Sequence, residues 1–405
     1  MTSSGRLPRI PRDRPDDHHE AIVQRRRALC EGTASVALPH LSGGPVPHEQ
    51  ARGKIENLIG WAQVPVGIAG PFQVELSSGP REVYVPMATT EGAMVASYSR
   101  GMRLLNEGGG ARARTVREGL SQHPVLVYDA VDAALRAADA ARSSVDRYRL
   151  LASEHTRHGS LAAVEPEVLG RRLVLRLLFQ TGDAIGINMA AEASERISAD
   201  LAERTGARER FVHGQDVEKR ANARALVEGR GRSVVAEGVV PRAVLAEVAR
   251  VTPEQMLEIA RTYAAGFAQL GTQNWTVQGA NGLAGVMLAC GQDLAYLTEC
   301  ATGHLDLDLT AEGDLYASVH LPSLLVGTVG GGSQQGTARE CLQLLGCLGD
   351  GGARPFAELL GATVLAGDLS LLAAFCSHEF VDAHERLGRN RPRGDAGSEG
   401  ARGQE

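Results

Sequence analysis

EKRANARALVEGRGRS, residues 218–233, is the stretch around which the rest of the chain is organised. It contains Lys219. The only other lysine is Lys54, whereas the remaining 40 of the 42 basic residues are arginines. An arginine is a planar fork that keeps its proton, but a lysine carries a compact, adaptable charge that suits a single developing oxyanion. Either Lys219 has a catalytic role, or the arginine-rich composition simply missed two positions.

The composition is typical of a globular protein with a modest negative charge. The chain has 405 residues, of which 43% are hydrophobic, and a formal net charge of −6. This length predicts two or three domains, and the acidity argues against nucleic acid as a main partner. No apolar run approaches the roughly 20 residues that span a bilayer. We therefore expect a cytoplasmic protein with neither a membrane segment nor a nucleic-acid partner.

The cysteines and the two ends of the chain agree with this expectation. Six cysteines without a CxxC pair predict reduced, mostly buried thiols. The first twenty residues, MTSSGRLPRIPRDRPDDHHE, lack the apolar core of a secretory signal. Residues 1–18 and 387–405 are polar or rich in Pro and Arg, so we expect both to be disordered.

The predicted helices and strand in the middle of the chain indicate an inserted domain. Residues Ala130–Leu151 have helical spacing, and Arg171–Phe179 is a predicted strand. A helix is predicted at Ala190–Glu203, and another near the N-terminus at Glu20–Leu29. The helix and strand block of residues 124–211 therefore differs from the glycine-rich segments around it, and we interpret it as a smaller domain within a larger one.

Two motifs in the first quarter of the chain have both structural and functional interpretations. ENLIG begins at Glu56 and leads into PVGIAGP, whose prolines and glycines indicate either a rigid turn or a backbone close to a ligand. PMATTEGAMVAS follows a predicted strand at Glu82–Val85. Thr90 is expected to cap a helix that starts at Glu91. Glu91 is then either an ordinary carboxylate at a helix N-terminus or a proton donor.

GDAIGINM, residues 182–189, lies between a predicted strand and a predicted helix. A glycine turn before a helix N-terminus is the arrangement that binds phosphates, although this sequence is not GxGxxG. Asp183 is either a helix cap or a ligand residue. Arg157, upstream of the turn, could supply positive charge to a nucleotide phosphate.

The last third of the chain adds three candidates. Asp293 follows an apolar helix predicted from Asn281, and it either faces solvent or pairs with Lys219. LVGTVGGGS, residues 325–333, either binds an anion or allows close packing. His378 and His384 do not share a helix face, so we expect no metal site there. His384 is either an unimportant surface histidine or a late proton donor.

Together these motifs resemble the 3-hydroxy-3-methylglutaryl-coenzyme A reductase family. The matching pieces are ENLIG with PVGIAGP, PMATTEGAMVAS, GDAIGINM, EKRANARALVEGRGRSVVAE, ACGQD, VGTVGGGS and AGDLSLLAA before His384. They occur in the family's order over about residues 50–390, and they look like the branch that prefers NADPH. The membrane domain of the animal enzymes is expected to be absent.

The resemblance implies an α+β fold and a role for each motif. A large helical and sheet domain, residues 50–123 and 212–386, is expected to bind substrate and coenzyme A. A small ferredoxin-like domain, residues 124–211, is expected to bind NADP. Residues 1–49 form an N-terminal segment, partly disordered and then helical, and residues 387–405 a tail. The family buries its active sites at a subunit interface, so a homodimer or higher oligomer is expected.

The resemblance also implies the site residues. Glu91 matches the catalytic glutamate, Lys219 the catalytic lysine, and Asp293 the aspartate that couples to both. His384 matches the histidine that protonates the departing thiolate. The candidates for NADPH are Arg157, Asp183, Gly186 and Asn188. The candidates for substrate and coenzyme A are Glu56, Ser97, Arg100, Arg220 and Asn281. This fits thioester chemistry, because a buried Lys219 ammonium would stabilise the oxyanion that the first hydride creates.

Three positions depart from the family pattern. The family usually reads Asp-Lys-Lys-Pro where this chain has EKRA, with Arg220 after the lysine. Gln122 occupies the place of an arginine that grips the free carboxylate of the substrate, and Val212 that of a serine. A high KM for 3-hydroxy-3-methylglutaryl-coenzyme A is therefore expected. The alternatives are a reductase for another coenzyme A or carrier-bound thioester, and an inactive paralogue that binds coenzyme A or nucleotide.

Overall fold

The computed structural model describes residues 11, 13, 16, 19–34, 47–154, 159–215 and 218–377. Two site candidates, Arg157 and His384, lie outside these residues. So does almost all of the two termini that were predicted to be disordered.

The described residues contain helices and strands throughout. The α-helices are α1 (Glu20–Ala34), α2 (Met94–Asn106), α3 (Val131–Arg142), α4 (Val145–Ser153), α5 (Ile187–Thr205), α6 (Ala223–Val227), α7 (Arg242–Val244), α8 (Pro253–Leu270), α9 (Gly279–Ala289), α10 (Leu297–Cys300), α11 (Gly336–Leu344) and α12 (Ala353–Cys376). Short 3₁₀ turns occur at His48–Ala51, Leu294–Tyr296 and Gly331–Gln334, and a π turn at Leu245–Ala249.

The strands pair into one continuous sheet. They are β1 (Val66–Leu76), β2 (Gly79–Ala88), β3 (Ala111–Gln122), β4 (Val125–Val127), β5 (Ser160–Leu169), β6 (Arg172–Gln180), β7 (Glu209–Phe211), β8 (Gly231–Val240), β9 (Asn274–Trp275), β10 (Gly303–Leu309) and β11 (Leu315–Leu324). Their order along the main path is β7-β4-β6-β3-β8-β11-β10-β9. β1 pairs with β2 and β3, and β5 pairs with β6. The predicted α+β class is confirmed.

Strand β3 joins the two parts of the sheet. Its first two thirds pair with β8, from Arg112 to Gly119, and its last residues, Leu120–Gln122, pair with β6. Beyond β3 lie β4 to β7 and helices α3 to α5, all from residues 125–211. The boundaries of an inserted domain at 124 and 211 stay a prediction.

The helical run predicted at Ala130–Leu151 is two helices, α3 and α4. The hydroxyl of Ser143 donates to the Asp139 carbonyl at 2.8 Å, and that of Ser144 donates to the Ala140 carbonyl at 2.7 Å. Serine hydroxyls that bond to nearby carbonyls compete with the helical backbone. The chain therefore turns at these two serines before helix α4 begins.

Helix α12 is the centre of the core. By length and apolar composition it could cross a membrane, so the expectation that no run approaches that length is wrong. Most of the helix is buried inside the protein, where it packs on α2, α9, β3, β8 and β11. It also carries two buried carboxylates, Glu358 and Asp368. These accept backbone N–H groups from Ser77 and Thr115, and from Val277 and Gln278, respectively.

The approach of α2 to α12 depends on one glycine. A Cβ atom at Gly101 would lie 1.8 Å from the carbonyl oxygen of Ala366. Any larger residue would push the two helices apart. This close contact fixes one wall of the first cavity described below. All six cysteines are free, and four are buried, as predicted.

Candidate active site

The first cavity, of about 460 Å³, lies between helices α2, α9 and α12. Glu91, Ser97, Arg100 and Asn281 all line it. The carboxylate of Glu91 accepts a hydrogen bond from Nδ2 of Asn281 at 2.8 Å. The structure therefore brings together four residues that the sequence placed in one site.

Glu91 does not start a helix. Helix α2 begins at Met94, and Ala93 before it has the left-handed φ of 71°. The N–H of Glu91 donates to Oγ1 of Thr89 at 3.0 Å. The predicted Thr90 cap and helix start are therefore wrong. Glu91 stands in a tight turn, exposed at the mouth of the cavity.

Ser97 and Arg100 are anchored to α12. Nε and Nη2 of Arg100 donate to Oγ and the carbonyl oxygen of Ser370 at 3.0 and 2.6 Å. Oγ of Ser97 lies 3.0 Å from Oγ of Ser370. The one cationic side chain that lines this cavity in the described part of the chain is thus held in place by the core helix. It offers an anionic ligand a fixed positive charge.

A second cavity, of about 390 Å³, is formed where three motifs meet. GDAIGINM contributes Gly186 and Asn188, GQD contributes Asp293, and the glycine-rich turn contributes residues 329–333. Gly186 has φ of 81° and is the N-cap of helix α5. An added Cβ atom there would lie 2.4 Å from Cγ2 of Thr181, so only glycine fits this turn.

Asp183 caps a helix other than the one that follows it. Its carboxylate accepts the N–H groups of Gly351 at 2.8 Å and Ala353 at 3.0 Å, at the start of α12. Asp183 is absent from the residues that line the second cavity. The capping role expected for an aspartate here is therefore present, but it stabilises a distant helix. Its proposed contact with the cofactor stays a prediction.

Lys219 has an unusual backbone. Its φ is 61°, in the left-handed region that residues with a Cβ atom seldom adopt. Its N–H donates to Oε2 of Glu299 at 3.1 Å, and its Nζ lies 5.4 Å from the ring centroid of Tyr296. The ammonium was expected to be buried. In the single chain Lys219 is exposed.

A buried network of charges lies beneath Lys219. Arg230, 3% exposed, pairs with Glu218 at 2.8 Å and with Glu299 at 3.3 Å. Oε1 of Glu218 also accepts from Nε2 of Gln122 at 3.0 Å. Burial raises the pKa of Glu299, and Arg230 opposes that shift. Sequence reasoning gave no role to Arg230, Glu299 or Tyr296. Arg230 stands in the EGRG motif, but Glu299 has no local signature.

Asp293 begins the short turn that carries Tyr296. Oδ1 of Asp293 accepts the N–H of Ala295 at 2.9 Å. Burial raises the pKa of Tyr296, and the charges of Glu218 and Asp293 add to this effect. Within the described residues, no ion pair closer than 4 Å joins Asp293 to Lys219. The two residues are near the same tyrosine, and their direct pairing stays a prediction.

The sequence model of the family described as hydroxymethylglutaryl-coenzyme A reductase matches residues 21–389. The chain belongs to the hydroxymethylglutaryl-coenzyme A reductase family.

Curated relatives and solved structures agree with this assignment. The 3-hydroxy-3-methylglutaryl-coenzyme A reductase of Pyrococcus horikoshii is 38% identical over 385 residues, 92% of each chain. That of Methanothermobacter thermautotrophicus is 38% identical over 376 residues, 91% of this chain and 94% of its own. The fold is similar to the class II reductase from Streptococcus pneumoniae bound to NADPH in open conformations. That likeness has a TM-score of 0.67 and 20% identity, and covers 87% of this chain and 96% of the other.

Two groups of reductase motifs lie at opposite ends of helix α9. Asn281, bonded to Glu91, is in its first turn, and Asp293 lies four positions after its last residue, Ala289. With 11 residues, α9 is about 16 Å long at 1.5 Å per residue. Glu91 and Asp293 line separate cavities of the chain.

The remaining candidates of the reductase site are separate from both cavities. Glu56 is exposed in the bend before the PVGIAGP strand and lines neither cavity. Arg220 is also exposed, and its Nη1 donates to the carbonyl oxygen of Glu218 at 2.9 Å. The roles that the family resemblance gives to all these residues stay predictions.

Proposed function

We propose that this chain reduces 3-hydroxy-3-methylglutaryl-coenzyme A to mevalonate and free coenzyme A with NADPH. One observation carries the proposal. Glu91, Lys219 and Asp293, which match the family's catalytic residues, each lie beside one of two cavities walled by the family's own motifs. Arg100, in the first cavity, suits the phosphates of coenzyme A.

The second cavity fits the phosphates of a dinucleotide. It opens at the N-terminus of α5, where backbone N–H groups and the helix dipole favour an anion. Added Cβ atoms at Gly330 and Gly331 would meet nothing within 4 Å, so this wall is open to a ligand. Gly186 and Asn188 would hold the cofactor here, and two successive NADPH molecules would each supply one of the two hydrides of the reaction.

The side chains of the protein supply charge and protons. The reaction takes up two hydrides and two protons. After the first hydride, the Lys219 ammonium stabilises the oxyanion at the former thioester carbon. The C–S bond then breaks, and the departing thiolate takes a proton from His384. After the second hydride reaches the aldehyde, Glu91 protonates the alkoxide.

A second subunit is proposed to complete the site. Glu91 lines the first cavity and Asp293 the second, and a site shared between two subunits would bring both carboxylates to one substrate. In a homodimer, Lys219 and Asp293 of one subunit can face Glu91 of the other. An interface there would also bury the exposed Lys219 and Glu91, as electrostatic stabilisation of an oxyanion requires.

We also propose that residues 124–211 form the NADP-binding domain of a cytoplasmic enzyme. This segment provides strands β4 to β7 and helix α5, whose N-terminus lines the second cavity. Arg157 lies in the same segment and is proposed to select NADPH over NADH.

A second candidate function is the reduction of a different acyl thioester. Gln122, in the place of the carboxylate-gripping arginine, is 3% exposed and donates to Glu218. It therefore offers no charge to a substrate carboxylate. Replacing the arginine by Gln122 would weaken the binding of an acyl group without that carboxylate less than the binding of 3-hydroxy-3-methylglutaryl-coenzyme A.

Steady-state assays of the purified full-length chain distinguish these functions. Oxidation of two NADPH per coenzyme A released, with mevalonate as the product, is the expected result. Turnover of an uncharged 3-hydroxyacyl-coenzyme A alone would establish the second candidate. Binding of NADPH or coenzyme A without turnover of any thioester would overturn both and indicate an inactive paralogue.

A further inference from the structure

Tyr296 connects Lys219 to the buried charges beneath it. Its ring centroid is 5.4 Å from Nζ of Lys219, and its hydroxyl donates to Oε2 of Glu218 at 3.3 Å. The residue is 4% exposed. A tyrosine with its hydroxyl bonded and its side chain buried cannot rotate freely. Its ring is therefore a fixed surface for the ammonium, with the face of the π-system attracting the cation.

Glu299 holds the backbone of the same lysine. Its Oε2 accepts the Lys219 N–H at 3.1 Å, and Arg230 pairs with both of its oxygens. Arg230 is fixed in turn by the carbonyl oxygen of Ser121, to which its Nε donates at 2.9 Å. A left-handed backbone at a residue with a Cβ atom persists only where surrounding contacts determine it. The Glu299 carboxylate provides such a contact.

We propose that Tyr296 and Glu299 are positioning residues for Lys219, with Glu299 fixing its backbone and the Tyr296 ring fixing its ammonium. The inference rests on the proposed catalytic role of Lys219. Both residues belong to the short segment that begins at Asp293. This segment therefore contacts Lys219 and also contains Asp293, the other candidate catalytic residue. A lysine has a flexible four-carbon stem, and an oxyanion donor is effective only when it is held in place beforehand.

The first test compares two substitutions of Tyr296. Tyr296→Leu removes the ring, and Tyr296→Phe keeps it while removing the bond to Glu218. We expect Leu to lower kcat for 3-hydroxy-3-methylglutaryl-coenzyme A by roughly 3- to 30-fold, the range of a cation–π contact. Phe should recover most of this loss, because it keeps the ring that faces Lys219 and also lines the second cavity. Equal losses in Leu and Phe would overturn the role of the ring.

Tyr316 provides a matched control. Its hydroxyl donates to Oε2 of Glu237 at 2.8 Å, on the β11–β8 pair, so it repeats the tyrosine–glutamate bond without an adjacent lysine. Tyr316→Leu should leave kcat unchanged. A loss as large as that of Tyr296→Leu would show that general destabilisation explains both.

The second test asks whether Tyr296 and Glu299 act through Lys219. In the Lys219→Ala background, adding Tyr296→Leu or Glu299→Gln should not lower the residual rate further, because the lysine that they position is gone. Losses that add in full would overturn the proposal. Glu299→Gln keeps an acceptor for the Lys219 N–H and should fold. If Glu299→Gln does not fold, the comparison of Tyr296→Leu with Tyr296→Phe still tests the proposal.

The same variants separate this inference from the proposed function. A wild-type kcat in Lys219→Ala would overturn the catalytic role of Lys219, and the inference with it. A large loss in Lys219→Ala together with a wild-type kcat in Tyr296→Leu would overturn the inference alone.

Discussion

At the scale of single residues, Lys219 is the position where an arginine should not substitute. Its φ is 61° and its ammonium lies over the Tyr296 ring. A guanidinium is larger and planar, so it would spread its charge away from the point that the ammonium occupies. We expect Lys219→Arg to lower kcat by at least about 100-fold, as when an oxyanion donor is lost.

The only other lysine is the control for this prediction. Lys54 is exposed in a turn and lines neither cavity, so Lys54→Arg should keep the wild-type kcat. Steady-state kinetics on folded proteins measure both. A near-normal kcat in Lys219→Arg would show that any cation suffices there.

Gln122 is predicted to lower the affinity for a substrate carboxylate. Its amide is bonded to Glu218 and carries no charge. A charge-assisted bond is worth roughly 1.5–3 kcal/mol, so a loss of about 2 kcal/mol weakens binding about 30-fold. We expect a high KM for 3-hydroxy-3-methylglutaryl-coenzyme A and a lower one in Gln122→Arg. An uncharged 3-hydroxyacyl-coenzyme A, whose KM should stay the same, is the comparator. A low-micromolar KM in the unmodified protein, with no turnover of the comparator, would mean that another residue grips the carboxylate.

At the scale of elements, the N-terminus of α12 depends on Asp183. This carboxylate accepts two backbone N–H groups there, and loss of a capping side chain costs about 0.5–2 kcal/mol. We expect Asp183→Ala to lower the free energy of unfolding in urea by about this amount. Asp183→Asn keeps one acceptor, so its free energy of unfolding should lie between those of the wild type and Asp183→Ala. An unchanged stability with a raised KM would place Asp183 in the cofactor site.

The middle of α12 should make stability depend on pH. Burial raises the pKa of Asp368 from 3.8 to about 7, although the N–H groups of Gln278 and Val277 oppose the shift. Between these two values the folded protein keeps a proton that the unfolded chain has lost. The contribution of Asp368 therefore falls as pH rises from about 4 to about 7, by at most about 1.4 kcal/mol per pH unit. Below about pH 4 both states are protonated and the contribution is constant.

Urea unfolding of the wild type and of Asp368→Asn, at pH 5 and pH 7, measures this contribution. We expect the wild type to lose stability relative to the variant between these two pH values. A gain instead would show that the two backbone N–H groups hold Asp368 in its charged form.

The sequence predicted the presence of helices and strands more accurately than the residues at which they begin and end. The strand at Arg171–Phe179 and the helices near Glu20 and Ala190 are present, because their hydrophobic periodicity is local. The start of α2 was misplaced because the residue with the left-handed φ before it is Ala93, a residue type that does not signal such a conformation. The bilayer expectation failed for α12 because it considered unbroken apolar runs, whereas this helix has a high mean hydropathy although it contains Arg354, Glu358 and Asp368.

At the scale of the whole molecule, the motifs predicted candidate site residues but not their contacts. Glu91, Ser97, Arg100 and Asn281 meet in one cavity, which the order of motifs along the chain does not reveal. The partners of Lys219 are 77 and 80 positions further on, at Tyr296 and Glu299, in a segment with no motif of its own. Contacts between distant segments follow from the fold, and a single sequence carries no record of them.

Glu91 and Asp293 line separate cavities of one chain, which predicts that two inactive variants can complement each other across a dimer. If Glu91 and Lys219 of one site belong to different subunits, Glu91→Gln and Lys219→Ala homodimers are both inactive. A mixed dimer, however, contains one site with both substitutions and one intact site. Random reassociation of equal amounts should restore about a quarter of wild-type activity, since half the dimers are mixed and each has one working site.

A matched mixture distinguishes this from other effects. Lys219→Ala mixed with Asp293→Asn should restore nothing, because both residues are proposed to belong to the same half of the site and every site then lacks one of them. Reassociation after mild unfolding, with dimer exchange followed by native mass spectrometry, supplies the mixed species. Verified mixed dimers of Glu91→Gln and Lys219→Ala that stay inactive would show that both residues serve one site from a single subunit, and that α9 must then move to bring them together.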